Sequence, residues 1–178
     1  MPRFQIITFG CQMNKADSER IASVFRQLDY EPTQDTNLAD YLVINACSVR
    51  QTAIDRIWGL ARKYARIKKE RPLVTILTGC VGEADKEKFT KIFDLVFNIQ
   101  EINKLYNYLQ QGFVDTQTDY LKIRPKYSSH FHAYVPIMTG CNNFCSYCIV
   151  PYVRNREKSR SIEDVLLEVR DLIANGYK

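Results

Sequence analysis

Cys141, Cys145 and Cys148 follow a CxxxCxxC spacing within the run GCNNFCSYCIVPY. This spacing constrains the chain more than any other feature, because clustered cysteines in a protein without a secretory signal bind metals more often than they form disulfides. A cluster of four irons and four sulfides normally takes four cysteine ligands, so a three-cysteine loop leaves one iron open to a ligand that is not protein. The apolar segment 133–138 precedes the triad and predicts a strand. The triad therefore reads as a loop at the carboxyl end of a strand, where α/β sheets carry their sites.

Zinc is the alternative metal for this triad. A structural zinc site takes four ligands, usually as two cysteine or histidine pairs, and this loop supplies one CxxC pair. His130 and His132 lie upstream and are the available source of a fourth ligand. The ligand count favours an iron–sulfur cluster over zinc.

The other three cysteines each follow a short apolar segment with the composition of a buried strand. The apolar segments are residues 4–9, which precede Cys11, residues 41–44, which precede Cys47, and residues 73–77, which precede Cys80. Helical periodicity between them, over 16–28 and 49–67, predicts alternating strands and helices and hence a parallel sheet. Parallel strands end at one edge, so we expect these cysteines to converge and to hold a second three-thiolate cluster. The alternative is three buried cysteines without a metal, since cysteine is among the most buried residue types.

The strand and helix patterns divide the chain into two α/β units. Residues 1–112 hold four strand candidates, the last at 95–99, and a final helix near 102–110; they predict a parallel-sheet, three-layer domain. Residues 113–131 read as a linker. Residues 132–178 read as a strand, the cluster loop and one helix that begins after Ser161, which is the first βα unit of a barrel. Such a barrel needs roughly 200 residues or more, so we expect this unit to be incomplete and the chain to be a fragment of a longer polypeptide.

Composition bounds the location and the partners. The chain has 178 residues, 46% of them apolar, and a formal charge of +5. It has no secretory signal and no apolar run long enough to span a membrane, so we expect a cytoplasmic protein without a membrane partner.

Two basic stretches suit a phosphate backbone or another anionic partner. The stretch at 56–71 contains seven Lys or Arg against Glu70, although basic residues also favour a helix C-terminus. The second stretch, at 122–160, contains seven Lys or Arg against Glu157: Lys122, Arg124, Lys126, and then Arg154, Arg156, Lys158 and Arg160. The last four follow the triad closely, and we expect them to meet an anionic substrate or the cofactor itself.

Both cysteine sets and their surroundings resemble the methylthiotransferases, which are radical S-adenosylmethionine enzymes. The resemblance covers the whole chain through TFGCQMNKADSERI at 8–21, INACSVR at 44–50, LTGC at 77–80 and GCNNFCSYCIVPYVRNREKSR at 140–160. Asn155 departs from the family, which usually has glycine there; asparagine is the non-glycine residue that best tolerates a left-handed backbone.

The resemblance implies two 4Fe-4S clusters and S-adenosyl-L-methionine as cofactors. Cys141, Cys145 and Cys148 would ligate the radical cluster, whose open iron chelates S-adenosylmethionine, with Tyr147 as a further cofactor-binding residue. The auxiliary, sulfur-handling cluster would be ligated by Cys11, Cys47 and Cys80.

The resemblance also implies a reaction. One S-adenosylmethionine donates a methyl group to a sulfur at the auxiliary cluster, and a second yields the radical that removes hydrogen from C2 of adenine. The segments after Cys11 and around Pro151 look like the branch that methylthiolates N6-isopentenyladenosine beside the tRNA anticodon. Other branches, acting on threonylcarbamoyladenosine or a ribosomal protein aspartate, remain alternatives, as does an electron-transfer iron–sulfur protein. The expected partners are tRNA and an electron donor such as flavodoxin or ferredoxin, and we expect a monomer.

Overall fold

The computed structural model describes residues 1–47, 51–110 and 119–177. The strands are β1 (Arg3–Thr8), β2 (Glu31–Pro32), β3 (Tyr41–Cys47), β4 (Val74–Cys80), β5 (Leu95–Val96), β6 (Met138–Thr139) and β7 (Lys158–Ser159). The helices are α1 (Gln12–Gln27), α2 (Gln51–Glu70), α3 (Glu83–Phe89), α4 (Asn103–Gln110), α5 (Val150–Val153) and α6 (Ile162–Ala174). Short 3-10 turns lie at Ile99–Glu101 and Tyr120–Lys122.

The first five strands form one parallel sheet in the order β2-β1-β3-β4-β5. The three strands predicted before Cys11, Cys47 and Cys80 are confirmed as its central members. The strand predicted at 95–99 is shorter than expected, because Asn98 caps a 3-10 turn that begins at Ile99. The edge strand β2 and helix α3 lack a clear pattern in the sequence and were not predicted.

Helices cover both faces of this sheet, which confirms the three-layer arrangement. Alternate residues of a strand point to opposite faces, and β3 divides its side chains accordingly. Val43 belongs to the buried cluster that contains Phe25 of α1 and Leu105 of α4. Ile44 packs on the opposite face with Ile57 of α2 and Phe89 of α3. The two-sided burial explains the nearly continuous apolar runs of the central strands.

The second unit is only partly as predicted. The strand predicted over 133–138 is wrong except at its last residue: β6 begins at Met138 and pairs antiparallel with β7. A strand needs a hydrogen-bonding neighbour, and among the described residues only Lys158–Ser159 supplies one here. Helix α6 is confirmed, with the Ser161 side chain accepting a bond from the Asp164 amide at 3.1 Å. A barrel is not formed by the described residues.

Residues 119–128 pack closely on the first unit. Tyr120 and Leu121 are buried in the core with α1, and Ser128 donates two hydrogen bonds to the Glu19 carboxylate. The described part of the predicted linker, 119–131, thus contributes core residues, whereas 113–118 lie outside the described residues.

In the ranges that the structure describes, none of the helices has the combination of length and apolar content that crossing a membrane requires.

Candidate metal centres

Cys47 and Cys80 lie side by side at the carboxyl edge of the sheet. They are direct partners in the β3–β4 register, and both are buried, at 8% and 5% exposure. A hydrogen bond between the two thiols and burial raise the pKa of Cys80, and the charge of Arg154 opposes this rise. The Cys80 proton must therefore leave when a metal binds, because the thiolate is the ligand.

Cys11 lies at the end of neighbouring β1, as the N-cap of α1, and its side chain is exposed. Asn14 links it to the other strands: Asn14 Oδ1 accepts a bond from the Cys11 amide at 3.2 Å, and Nδ2 donates to the Ala46 carbonyl at 3.3 Å. Asn14 is fully buried. The three cysteines therefore lie at the same edge of the sheet, as predicted, because β1, β3 and β4 are adjacent parallel strands.

Gly79 permits the close approach of β3 and β4 just before their cysteines. Its φ of +110° lies in the region that favours glycine. A Cβ at this position would lie 2.2 Å from the Ala46 carbonyl oxygen. A side chain here would therefore separate the two cysteine-bearing strands.

The Cys141–Cys148 loop is built differently. Cys145 is exposed and Cys141 and Cys148 are half-buried. The Cys141 amide donates to the Asn155 carbonyl at 3.1 Å, and the Cys148 amide donates to the Cys145 carbonyl at 2.9 Å. Tyr147 is 90% exposed, so its ring is available to a ligand bound at the loop.

Side chains of the first unit hold this loop through the segment 153–155. Asn98 Nδ2 donates to the Val153 carbonyl at 2.6 Å, and Gln100 Nε2 donates to the Arg154 carbonyl at 2.5 Å. Asn155 has a φ of +59°, and its side-chain amide donates to Gln100 Oε1 at 2.6 Å. The expected left-handed turn at Asn155 is confirmed.

Arg154 is the functional candidate whose position the sequence analysis missed. Its Nε donates to Cys80 Sγ at 2.9 Å, and its terminal nitrogens donate to both oxygens of Asp17. Burial lowers the pKa of the guanidinium, but the charge of Asp17 and the bonds to it raise that pKa by more. Of the two partners expected for Arg154, its pairing with Asp17 disfavours an anionic substrate, and its contact with Cys80 places it beside a candidate cluster ligand. Nothing in the local spacing links Arg154 to Asp17.

The remaining basic residues are only partly available. Lys158 pairs with Asp119 at 2.8 Å, and Arg160 pairs with Glu168, so these two charges are also compensated. On α2, Lys68 pairs with Asp94. The other basic side chains of α2 are exposed: Arg56, Arg62, Lys63, Arg66 and Lys69. The first basic stretch therefore offers a cationic helix face. In the second stretch Arg154, Lys158 and Arg160 are paired, whereas Lys122, Arg124, Lys126 and Arg156 are exposed.

The donor sets suit an iron–sulfur cluster in their chemistry. Neither set is closed around a metal: the described residues contain no group of three or more Cys, His, Asp or Glu arranged to hold an ion. None of the six cysteines, all of which are described, forms a disulfide. Two adjacent buried thiols with a third at the same sheet edge match a thiolate-ligated cluster. The assignment of all six as ligands remains a prediction.

The parallel sheet with cysteines at three strand ends defines an α/β domain of a known kind. The chain belongs to the family described as "Uncharacterized protein family UPF0004", whose model matches residues 3–99. Its similarity to known proteins extends well beyond that domain.

Three relatives carry the name tRNA-2-methylthio-N(6)-dimethylallyladenosine synthase. The protein of Thermotoga petrophila is 38% identical over 99% of this chain and 42% of its own length. That of Carboxydothermus hydrogenoformans is 38% identical over 98% of this chain and 43% of its own length. That of Citrifermentans bemidjiense is 39% identical over 95% of this chain and 42% of its own length. The chain thus spans about two fifths of the length of these curated relatives.

Proposed function

We propose that this chain is part of a tRNA methylthiotransferase that places a methylthio group on C2 of N6-isopentenyladenosine, also called N6-dimethylallyladenosine, beside the anticodon. The observation that carries the proposal is the similarity of nearly the whole chain to relatives that bear this name, at 38–39% identity. The relatives' name favours this substrate over threonylcarbamoyladenosine or a protein aspartate.

Each cysteine set would hold one 4Fe-4S cluster. Cys11, Cys47 and Cys80 are the ligands proposed for the auxiliary cluster, and the loop triad is proposed for the radical cluster. The radical cluster, when bound, supplies the electron that cleaves S-adenosylmethionine chelated at its open iron.

The chain's own residues would orient these centres. Strands β3 and β4 fix two auxiliary ligands by register, and Gln100 and Asn98 hold the segment that supports the radical loop. Tyr147 extends beside Cys148, where its ring can pack against a nucleoside cofactor. These groups position ligands, which is part of the protein's usual contribution to cofactor chemistry.

The exposed cationic face of α2 is the proposed contact for tRNA phosphates, because Arg56, Arg62, Lys63, Arg66 and Lys69 lie on the surface there. The proposal also includes an electron donor such as flavodoxin or ferredoxin, a monomeric state and a cytoplasmic location. For the chain alone, without further barrel strands, we expect no activity on tRNA.

The test combines reconstitution and ligand binding. The anaerobically reconstituted chain should show an electron paramagnetic resonance signal, after reduction, that changes when S-adenosylmethionine is added. A spectrum that does not change when S-adenosylmethionine is added would favour an electron-transfer protein. A colourless protein that contains zinc would overturn the proposal. For the substrate, the longer parent polypeptide should yield 2-methylthio nucleosides in a tRNA digest read by mass spectrometry.

A further inference from the structure

One buried side chain connects the two cysteine sets. Arg154 lies six residues after Cys148 and is 6% exposed. Its Nε reaches Cys80 Sγ at 2.9 Å. The same guanidinium donates to Asp17, which is fully buried in α1, at 2.5 Å and 3.3 Å.

The planar shape of the arginine side chain allows Arg154 to contact Asp17 and Cys80 at the same time. A guanidinium presents its donors in a rigid planar fork, so two nitrogens can grip a carboxylate while the third points elsewhere. Here the third donor, Nε, points to the sulfur of Cys80. A lysine would keep the charge beside Asp17 but has no planar fork to serve both partners at once.

Neighbouring groups fix this orientation from both ends. Asp17 also accepts a hydrogen bond from the buried Tyr120 hydroxyl. At the other end, the Arg154 amide donates to the Val150 carbonyl at 2.8 Å, and the Arg154 carbonyl accepts from Gln100. A buried charge without good partners is costly, so the network holds the guanidinium in one place.

We propose that Arg154 is a positioning residue for the auxiliary cluster, which it serves by donating an N–H···S hydrogen bond to the ligand Cys80. The inference rests on the proposed function, because it requires a cluster at Cys80. Hydrogen bonds to ligand sulfurs help to set the reduction potential of an iron–sulfur cluster. A donor at the sulfur stabilises the more negative, reduced cluster and so raises its potential. Since Arg154 also belongs to the segment behind the radical loop, it links the auxiliary ligand to that loop.

The test measures the reduction potential of the auxiliary cluster by itself. All variants carry Cys145→Ala, so that the radical cluster is absent and one cluster is titrated. Arg154→Lys keeps a cation near Asp17 and removes the Nε donor; we expect a more negative potential and altered sulfur-to-iron charge-transfer bands at unchanged iron content. Arg170→Lys, an exposed arginine on α6, is the matched control and should leave both unchanged.

Equal potentials in Arg154→Lys and Arg170→Lys, with iron retained in both, would overturn the inference, because the bond to Cys80 would then not influence the cluster. If Arg154→Lys does not fold, the double variant Arg154→Met and Asp17→Asn replaces it, because it removes the Nε donor together with both charges of the buried pair. The potential should again become more negative. An unchanged potential there would also count against Arg154. Absence of any cluster from the Cys145→Ala parent, seen by iron analysis, would instead overturn the proposed function.

Discussion

The two cysteine sets are positioned by different means. At the sheet edge, the register of two seven-residue strands places Cys47 opposite Cys80, and a core on both faces supports those strands. In the loop, Cys145 is exposed, and a few polar side chains of the first unit hold the supporting segment. Two of the three sheet-edge cysteines are held by burial, whereas the loop is held by a small number of hydrogen bonds. From this difference we expect the sheet-edge set to be the more rigid and the loop set the more easily disturbed.

The largest expected effect is the separate loss of the two clusters. Cys145→Ala should remove about four of about eight irons and leave the sheet-edge cluster, because its ligands lie on other elements. Cys80→Ala should remove the other four and leave the loop cluster. Iron analysis of the reconstituted variants measures both. Loss of all iron in either variant would show that the sets do not act independently.

Core truncation tests whether the sheet edge depends on burial. Leu77, three residues before Cys80, is fully buried against α2 and α3. Leu77→Ala should lower the free energy of unfolding by about 3 kcal/mol, from lost burial and the cavity left behind. Leu167→Ala, on α6 and 55% exposed, is the matched control and should change it by less than about 0.5 kcal/mol. Urea unfolding of the metal-free chain compares the two variants, and equal losses of stability would show that burial does not distinguish the sheet edge from α6.

A polar truncation tests the support of the loop. Gln100→Ala leaves the Arg154 carbonyl without its donor, which should cost about 1–2 kcal/mol locally. Hydrogen exchange should accelerate at the Cys141 amide, whose acceptor Asn155 also bonds Gln100. The amides of β3 should keep their exchange rates, and the exposed Gln110→Ala serves as control. Equal acceleration in β3 would mean that Gln100 supports the whole fold and not the loop.

The smallest effect concerns acid stability at the opposite end of the sheet. Burial raises the pKa of Asp94, but bonds from Lys68 and Thr75 outweigh it and hold that pKa below its usual value. A carboxyl with a depressed pKa stabilises the fold above its unfolded pKa, about 3.9, and this stabilisation is lost as pH falls through the lower folded value.

Asp94→Asn should therefore lower stability by about 1 kcal/mol at neutral pH and weaken the loss on acidification. Thermal unfolding between neutral pH and about pH 3 measures this, with Asp171→Asn on the surface of α6 as control. A variant that loses as much stability in acid as the unsubstituted chain would rule out Asp94 as the cause.

The sequence predicted the parts of the molecule that local patterns determine. Apolar runs before Cys11, Cys47 and Cys80 indicated the central strands, and Ser161 indicated the start of α6. The segment 133–138 is apolar as well, but whether it pairs depends on a neighbouring strand, which an apolar run does not specify. Likewise, Arg154 pairs with Asp17 from a distant part of the chain, and the resulting ion pair cannot be inferred from residue spacing. The hydrogen bonds of Gln100 also join residues far apart in the chain, so residue spacing does not predict them either.

The central claim is that each cysteine set holds an iron–sulfur cluster, and the most direct test is the iron and acid-labile sulfide content of the chain after anaerobic reconstitution. We predict about eight irons and about eight sulfides per chain, four of each for every cluster. About four irons would show that one set remains empty. Zinc without sulfide would contradict the account.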